Sequence, residues 1–438
     1  MKFIYSFVIF LLVARTLFSQ NPISPAGTYI ADPSARVWND GKLYIFGSLD
    51  ESCDYYCSHS HHLLYTTDMQ NWVLARDIFI SKGERDGISY NDKVLYAPDA
   101  AYKNGTYYLY YCQPDKENAE GVATSKSPEG PFTNGTKIDL KGYNQIDPAI
   151  FTDDDGQVYY IWGQFTMKMA KMKPNMKELD LSSVKDSILT ETEHHFHEGA
   201  FLAKRNGIYY LVYADISRGD IPTCIGYATA TSPYGPYKYR GIIIDNNYCN
   251  PGNWNNHGSI AGFKDKWYVF YHRSTHGCNT MRKACVEPIT FLADGSVPEV
   301  EMTSQGAGNP LDAKKVIQAE WACILTGNLR IEQKEGLQEG LEKFYNGDKA
   351  AFKYINFGQG VDSVTVKIAP GTKGGKIVMS LDKPWQKRLA IINIKPNEIN
   401  AWQEQTFKVE KTTGVHGLWL LFYGDNEQMF SIDWLKFK

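Results

Sequence analysis

Apolar and polar positions along this chain are arranged in a phrase that recurs. Its clearest copy is IDPAIFTDDDGQVYYIWG, Ile146 to Gly163: a carboxylate, small residues, an apolar pair, a polar turn containing Gly, then an aromatic-rich run. DPSARVWNDGKLYIFGS from Asp32 and EGAFLAKRNGIYYLVYA from Glu198 keep the same frame, with the carboxylate nine residues before a Gly in all three. Looser copies begin at Asp99 (DAAYKNGTYYLYYC) and His257 (HGSIAGFKDKWYVFYH). Each copy predicts a hairpin of a small-residue strand, an Asn-Gly or Asp-Gly turn and a strand of β-branched and aromatic residues. Between the copies lie Ser/Thr-rich strand ends closed by Pro-Gly turns, TSKSPEGPF from Thr124 and TATSPYGPY from Thr229. Met169 to Ser187 reads as a long loop or an outer strand.

Strand repeats spaced roughly 50 residues apart predict a propeller, and five copies predict five blades around one channel. The expected fold is all-β, with this propeller over about residues 22–305. A polar Gly/Pro break at 303–313 separates it from a second text, residues 314–438. There, runs such as SVTVKIAP, GKIVMSLD, LAIINI and GLWLLFYG predict about eight strands in a β-sandwich.

Composition changes this picture in three ways. Residues 1–20 carry Lys2, an apolar run from Phe3 to Val13 and a small polar end, the pattern of a signal peptide; export to a periplasmic, surface or extracellular site is expected, with no membrane span in the mature chain. The formal net charge is −3 with no basic stripe, which gives nucleic acid no footprint. Eight cysteines in an exported chain permit disulfides. Cys53/Cys57 and Cys278/Cys285 are near enough to pair locally, but connectivity does not follow from sequence. Cys53, Cys57, His59, His61 and His62 cluster without a standard structural-zinc spacing.

In a propeller the equivalent inner-strand residues meet, so Asp32, Asp147 and Glu198 converge although far apart in sequence. Paired carboxyls across a sugar suffice for glycoside hydrolysis: one protonates the leaving oxygen and the other activates water or attacks directly. Small neighbours (Ala31, Ser34, Ala149, Ala200) leave room for a ligand above them. Asp99 is a candidate for the pocket lining and Arg273 for sugar hydroxyls. Trp162, with Phe165, Trp72 and Trp254, is a candidate stacking platform.

The blocks ADPS at Ala31, APDAAYKNGTYYLYY at Ala97, IDPAIFTDDDGQVYYIWG at Ile146, HEGAFLAKRNGIYYLVYA at His197 and NHGSI at Asn256 resemble, in the same order, those of glycoside hydrolase family 43. The resemblance implies a five-bladed propeller working with inversion, Asp32 as general base, Asp147 as the residue that orients and tunes the acid, and Glu198 as general acid. It also implies that His257 helps hold a Ca²⁺ in the channel through water. IQAE at Ile317, Glu332, NGD at Asn346, GVHGLWLLFYG at Gly414 and SIDWLKF at Ser431 resemble carbohydrate-binding module family 6, a jelly roll. That resemblance implies a structural Ca²⁺ at Glu320, Glu332 and Asp433, and sugar stacking on Tyr345 and Trp402. No cofactor is implied for the chemistry.

The expected function is removal of terminal sugars from poly- or oligosaccharides of plant type, α-L-arabinofuranose first and β-xylose next. The inserted loop Asp50–His62, placed to wall off one side, favours exo action. An endo-acting arabinanase or a galactan-active member is the alternative within the family. A glycan-binding propeller without catalysis is the alternative of another class.

Overall fold

A computed structural model describes residues 20–115, 120–248, 255–333, 338–342, 344–397, 401–425 and 429–438. The leader through Ser19, Cys249 and Trp254 lie outside them.

The repeated phrase becomes five consecutive antiparallel sheets. The first holds β1 (Tyr29–Val37), β2 (Leu43–Asp50), β3 (Ser60–Thr66) and β4 (Trp72–Ile80). The second holds β5 (Tyr96–Lys103), β6 (Thr106–Cys112), β7 (Glu120–Ser125) and β8 (Thr133–Lys137). The third holds β9 (Ala149–Thr152), β10 (Val158–Trp162), β11 (Lys168–Met172) and β12 (Leu179–Lys185), so Met169–Ser187 supplies two paired strands rather than a long loop. The fourth holds β13 (Phe196–Arg205), β14 (Ile208–Asp215), β15 (Cys224–Ala230) and β16 (Lys238–Asp245). The fifth holds β17 (Ser259–Phe263), β18 (Lys266–Ser274) and β19 (Arg282–Ile289).

These sheets form a ring. The first strand of each lies against the first strand of the next, and β17 returns to β1. An apolar cluster fills each of the five seams, from Phe46 with Leu109 between the first two blades to Trp72 with Phe270 between the fifth and the first. Second strands such as IYYLVYAD in β14 are therefore covered on both faces by neighbouring blades, which explains their continuous apolar text. Each of these large side chains stabilises the ring by about 1.5–3 kcal/mol on burial. The fifth blade, one strand short, is completed by the segment before β1. Ile23 N donates to Ala284 O (2.8 Å), Ala284 N to Ser24 Oγ (3.0 Å) and Val286 N to Asn21 Oδ1 (2.9 Å).

After Ile289 the chain crosses to a β-sandwich of two six-stranded sheets. Ile377, Met379, Leu418 and Phe422 from one sheet share a core with Val364, Ile368, Ile432 and Phe437 from the other, the alternation expected of packed sheets. Leu311–Asp312 already pairs, in parallel, with Ile355–Asn356 of this domain. The two domains are in contact: Ser304 N donates to Lys353 O (2.6 Å), Lys283 Nζ pairs with Glu339 Oε2 (2.6 Å), and Arg273 Nη1 donates to Ala322 O (2.6 Å).

Candidate functional site: a carboxylate pocket at one mouth of the channel

Five residues mark the same place on, or just before, the five innermost strands: Asp32, Ala97, Asp147, Glu198 and His257, each followed by Pro or Gly. All five line one cavity of about 220 Å³. Tyr56, Cys57, Tyr96, Gln164, Asn255 and Arg282 close it.

The backbone aims these side chains. Pairing slips between Ala31 and Ser34 in β1, between Tyr96 and Asp99 in β5, and between Glu198 and Phe201 in β13. Such bulges turn a side chain off the regular pleat. Asp32 (φ 54°) and Asp147 (φ 63°) take the left-handed conformation, which Asp tolerates better than most residues. In the fourth blade Gly199 takes it instead (φ 66°); a Cβ there would stand 2.8 Å from the His257 ring, so the close approach of His257 depends on that glycine.

Asp32 is 5 % exposed. Burial alone would raise its carboxyl, but Arg282, then His257 and His272, and the Ser48 hydroxyl outweigh it and hold the group well below the usual carboxylate range. Arg282 Nη1 donates to Asp32 Oδ1 (2.8 Å) and Ser48 Oγ to Oδ2 (2.7 Å). Asp32 N donates to His272 Nδ1 (3.1 Å), which leaves the ring's Nε2–H for Asn255 Oδ1 (2.8 Å). Burial and Arg282 keep this imidazole neutral.

Asp147, 6 % exposed, is displaced the other way. Burial first, then the negative charges of Glu198, Asp32 and Glu120, push its carboxyl well above the ordinary range. Its backbone N–H donates to the buried Cys112 Sγ (3.3 Å). Gln164 Nε2 donates to Glu198 Oε2 (2.8 Å) and orients that carboxyl. His257 Nδ1 stands 3.6 Å from Asp32 Oδ1 and 4.0 Å from Asp147 Oδ2. One pocket thus holds a carboxylate kept ionised, Asp32, and a carboxyl kept protonated, Asp147.

A clasp walls this pocket. Cys53 and Cys278 form a disulfide across 225 residues, joining the loop after β2 to the loop after β18. Local pairing is therefore not what occurs: Cys57 and Cys285 are buried free thiols. Nor is there a zinc site among the clustered residues, since Cys53 is oxidised, His61 stacks in the core on Phe79, and His62 faces Ser60 and Asp77.

Several expected binding residues have other work. Asp99 sits two residues beyond the in-frame position, which in its repeat is Ala97. It is 1 % exposed and accepts from Ser34 Oγ (2.5 Å), Arg36 Nε (2.7 Å) and Ile150 N (2.7 Å), tying three inner strands together below the pocket. Trp162 is fully buried between the second and third blades, its Nε1 donating to Tyr143 O (2.8 Å), and Trp72 is equally buried. Arg273 is buried against the second domain rather than facing sugar. Phe165, beside Gln164, is exposed and edge-on to His197. Tyr345 is half-buried in a loop before the strand Lys349–Asn356, and Trp402 is exposed at the start of Gln403–Thr412.

The calcium expectations do not fit the residues as placed. Asp433 is paired with Lys367 Nζ (2.7 Å), and Lys283 reaches the carboxylates near Glu320. Glu320 keeps a buried Oε2 without a hydrogen-bond partner, and burial, with the charges of Glu339 and Asp433, pushes its carboxyl up to about 8. Glu332 is half-buried on the strand Arg330–Gln333. His257 faces the pocket itself. Among the described residues no three His, Cys, Asp or Glu side chains converge to hold a metal ion.

Arg282, Tyr56, Asn255 and His272 were not singled out from sequence, and Cys57 was weighed there for a disulfide or zinc rather than for the pocket. Ala97 could have been: it precedes Pro98 as Asp32 precedes Pro33.

Residues 19–297 match the family model of glycosyl hydrolases family 43, and residues 318–438 that of carbohydrate binding module family 6. A xylosidase/arabinosidase of Thermoclostridium stercorarium is 28 % identical, the match covering 92 % of this chain and 96 % of that protein. Xylosidase/arabinosidase 43A of Humicola insolens is 32 % identical over 61 % of this chain and 96 % of its own. Among solved structures, a family 43 arabinoxylan arabinofuranohydrolase from Bacillus subtilis, in complex with cellotetraose, superposes with a TM-score of 0.53 at 25 % identity, covering 96 % of this chain and 99 % of that one.

Proposed function

Because the chain belongs to glycosyl hydrolases family 43, we propose that its pocket removes single terminal sugars from plant-type polysaccharides, α-L-arabinofuranose first and β-xylose second. The chain is a glycoside hydrolase of the xylosidase/arabinofuranosidase type. The observation that carries exo action is the pocket's form. Five blades supply one residue each to a cavity of about 220 Å³, and a disulfide-bound loop stands across its side. Such a space takes one sugar ring at a chain end or branch point; an internal bond needs an open groove.

The charges support a division of labour. Asp32, ionised through Arg282, is the general base: it takes a proton from a water that attacks the anomeric carbon. Glu198, oriented by Gln164, is the general acid that protonates the departing oxygen. Asp147 orients the sugar and holds a proton beside Glu198, whose negative charge helps to keep it there. Inversion requires the base and acid carboxyls roughly 6.5–9.5 Å apart, with a water between base and sugar. Carboxyls and water carry every step, and none draws on a cofactor.

Export is part of the reading. It is supported by the apolar leader and by a disulfide that would be reduced in a cytosol.

The test is hydrolysis of aryl α-L-arabinofuranoside, β-xyloside and β-galactoside side by side, with Asp32→Asn as control and the anomer of the first product read by NMR. Release of arabinose or xylose with inverted configuration is expected. Silence on all three, with cleavage of linear arabinan, would replace the reading by an endo-acting enzyme.

A further inference from the structure

The wall of the pocket is not built by the propeller alone. Tyr56 and Cys57 lie on the loop after β2, and four ties hold that loop to the fifth blade. They are the Cys53–Cys278 disulfide, Thr280 Oγ1 to Ser52 O (2.6 Å), Arg282 Nε and Nη2 to Asp50 (2.8 and 2.9 Å), and the Arg282 guanidinium 5.2 Å from the Tyr56 ring centre. The other end of each of these ties sits on 278–282, so that segment fixes one side of the wall, while Leu95 N, donating to Ser58 O (2.8 Å), holds the other to the second blade.

That segment rests on the C-terminal domain. Ile331 N donates to Thr275 O (3.1 Å), and Thr275 Oγ1 in turn donates to Met281 O (2.8 Å). The Arg330 side chain lies directly over Gly277, in the left-handed conformation (φ 77°), where any Cβ would collide with the guanidinium stem. Gly277 adjoins Cys278. Nearby, Arg273 Nη1 and Nη2 reach the carbonyls of Ala322 and Glu320, and Leu325 N donates to Tyr248 O (3.0 Å).

We propose that the C-terminal domain acts as a wall-positioning part of the catalytic pocket: its segment 320–331, through Arg330 and Ile331, sets the clasp that places Tyr56 and Cys57 against the bound sugar. This rests on the reading of the pocket as the sugar site. Arg330 is a positioning residue; it acts through Gly277 and the disulfide and touches no substrate. Loosening residues 275–280 leaves Arg282 held in β19 opposite Ser274, and with it the acid, the base and their charges, so the loss falls on sugar binding rather than on the bond-breaking step.

The test uses the full chain with Arg330→Ala, Arg330→Lys and, on an exposed loop of the same domain, Trp385→Ala. Two quantities are read: KM and kcat on the best aryl glycoside, and the rate at which a mild thiol reductant opens Cys53–Cys278. Arg330→Ala should raise KM roughly tenfold with kcat changed less than about twofold, and speed reduction on the order of tenfold. Arg330→Lys should recover part of both, and Trp385→Ala should change neither. An unchanged KM in Arg330→Ala overturns the proposal, even if reduction is faster. Should Arg330→Ala fail to fold, Cys53→Ser with Cys278→Ser opens the clasp from its other end and must give the same rise in KM; a wild-type KM there overturns the proposal equally. If no aryl glycoside is cleaved by the unaltered chain, the functional reading fails. The reduction rate then decides the brace by itself, an unchanged rate in Arg330→Ala overturning it.

Discussion

Arg282 reaches Asp32 with one nitrogen, Nη1 at 2.8 Å, and grips both oxygens of Asp50 with the other two. A strand of the last blade thereby sets the charge of a carboxylate on the first. Arg282→Lys keeps a cation but loses the planar fork. Asp32 should then hold its proton to higher pH, so the acid limb of kcat/KM should move upward. Arg282→Met leaves two buried carboxylates unpaired and should cost about 3–5 kcal/mol of stability as well. A pH–rate profile from pH 3 to 8 checks the first; an acid limb that stays in place would contradict the assigned role of Asp32.

Glu198→Gln removes the proton donor but keeps the group that meets Gln164. Hydrolysis of a natural oligosaccharide should fall by about 10²–10⁴. A nitrophenyl glycoside, whose leaving group departs without protonation, should lose much less. Equal losses on both substrates would take the acid's role away from Glu198. Asp32→Asn should depress both equally.

Glu120 is buried between Tyr160, whose hydroxyl donates to Oε2 at 2.5 Å, and an Oε1 without a partner. Burial pushes its carboxyl up to about 8, against an ordinary 4.5. Between those values the folded chain keeps a proton that the unfolded chain has released, so stability falls as pH rises from about 4.5 to about 8 and levels off above. Glu287, also raised to about 8, contributes with the same sign. Glu120→Gln should flatten the decline and gain a few degrees of Tm at pH 8. Calorimetry from pH 4.5 to 9 reads this; a wild-type slope in the variant would show Glu120 to be ionised when folded.

Trp162 separates packing from binding. Its burial between two blades predicts that Trp162→Ala lowers stability by about 3–5 kcal/mol. KM at a temperature where the variant is folded should stay within about twofold of the unaltered chain, since the ring does not line the pocket. A large rise in KM without loss of Tm would return Trp162 to the site.

What the sequence made legible was whatever repeats. Five hairpins, five blades and the convergence of Asp32, Asp147 and Glu198 all follow from one phrase, because equivalent positions on a ring must meet. Single residues were harder wherever their role depends on a partner from another blade. Asp99 carries the same functional group as Asp147, yet two positions along the strand turn it from the pocket to a structural hub. Trp162 and Arg273 have the chemistry of sugar-binding residues; only the seam and the domain contact show where they are spent. Arg282, with no repeat to mark it, and the Cys53–Cys278 bond, spanning 225 residues, are products of ring closure, which no local pattern encodes.

That closure has a consequence for how the chain is made. Residues 21–24 complete the last blade by pairing with β19, so the earliest part of the ring waits for one of its latest. During synthesis the strap has no partner for more than 250 residues, and until it docks, β19 presents an open edge. Contacts of such long separation form late and slowly, and an unpaired edge invites pairing with other chains. The period between the emergence of β19 and the docking of the strap is therefore when this protein is most exposed to aggregation. A chain that begins after Ser24 should accumulate as aggregate even though every catalytic side chain is present.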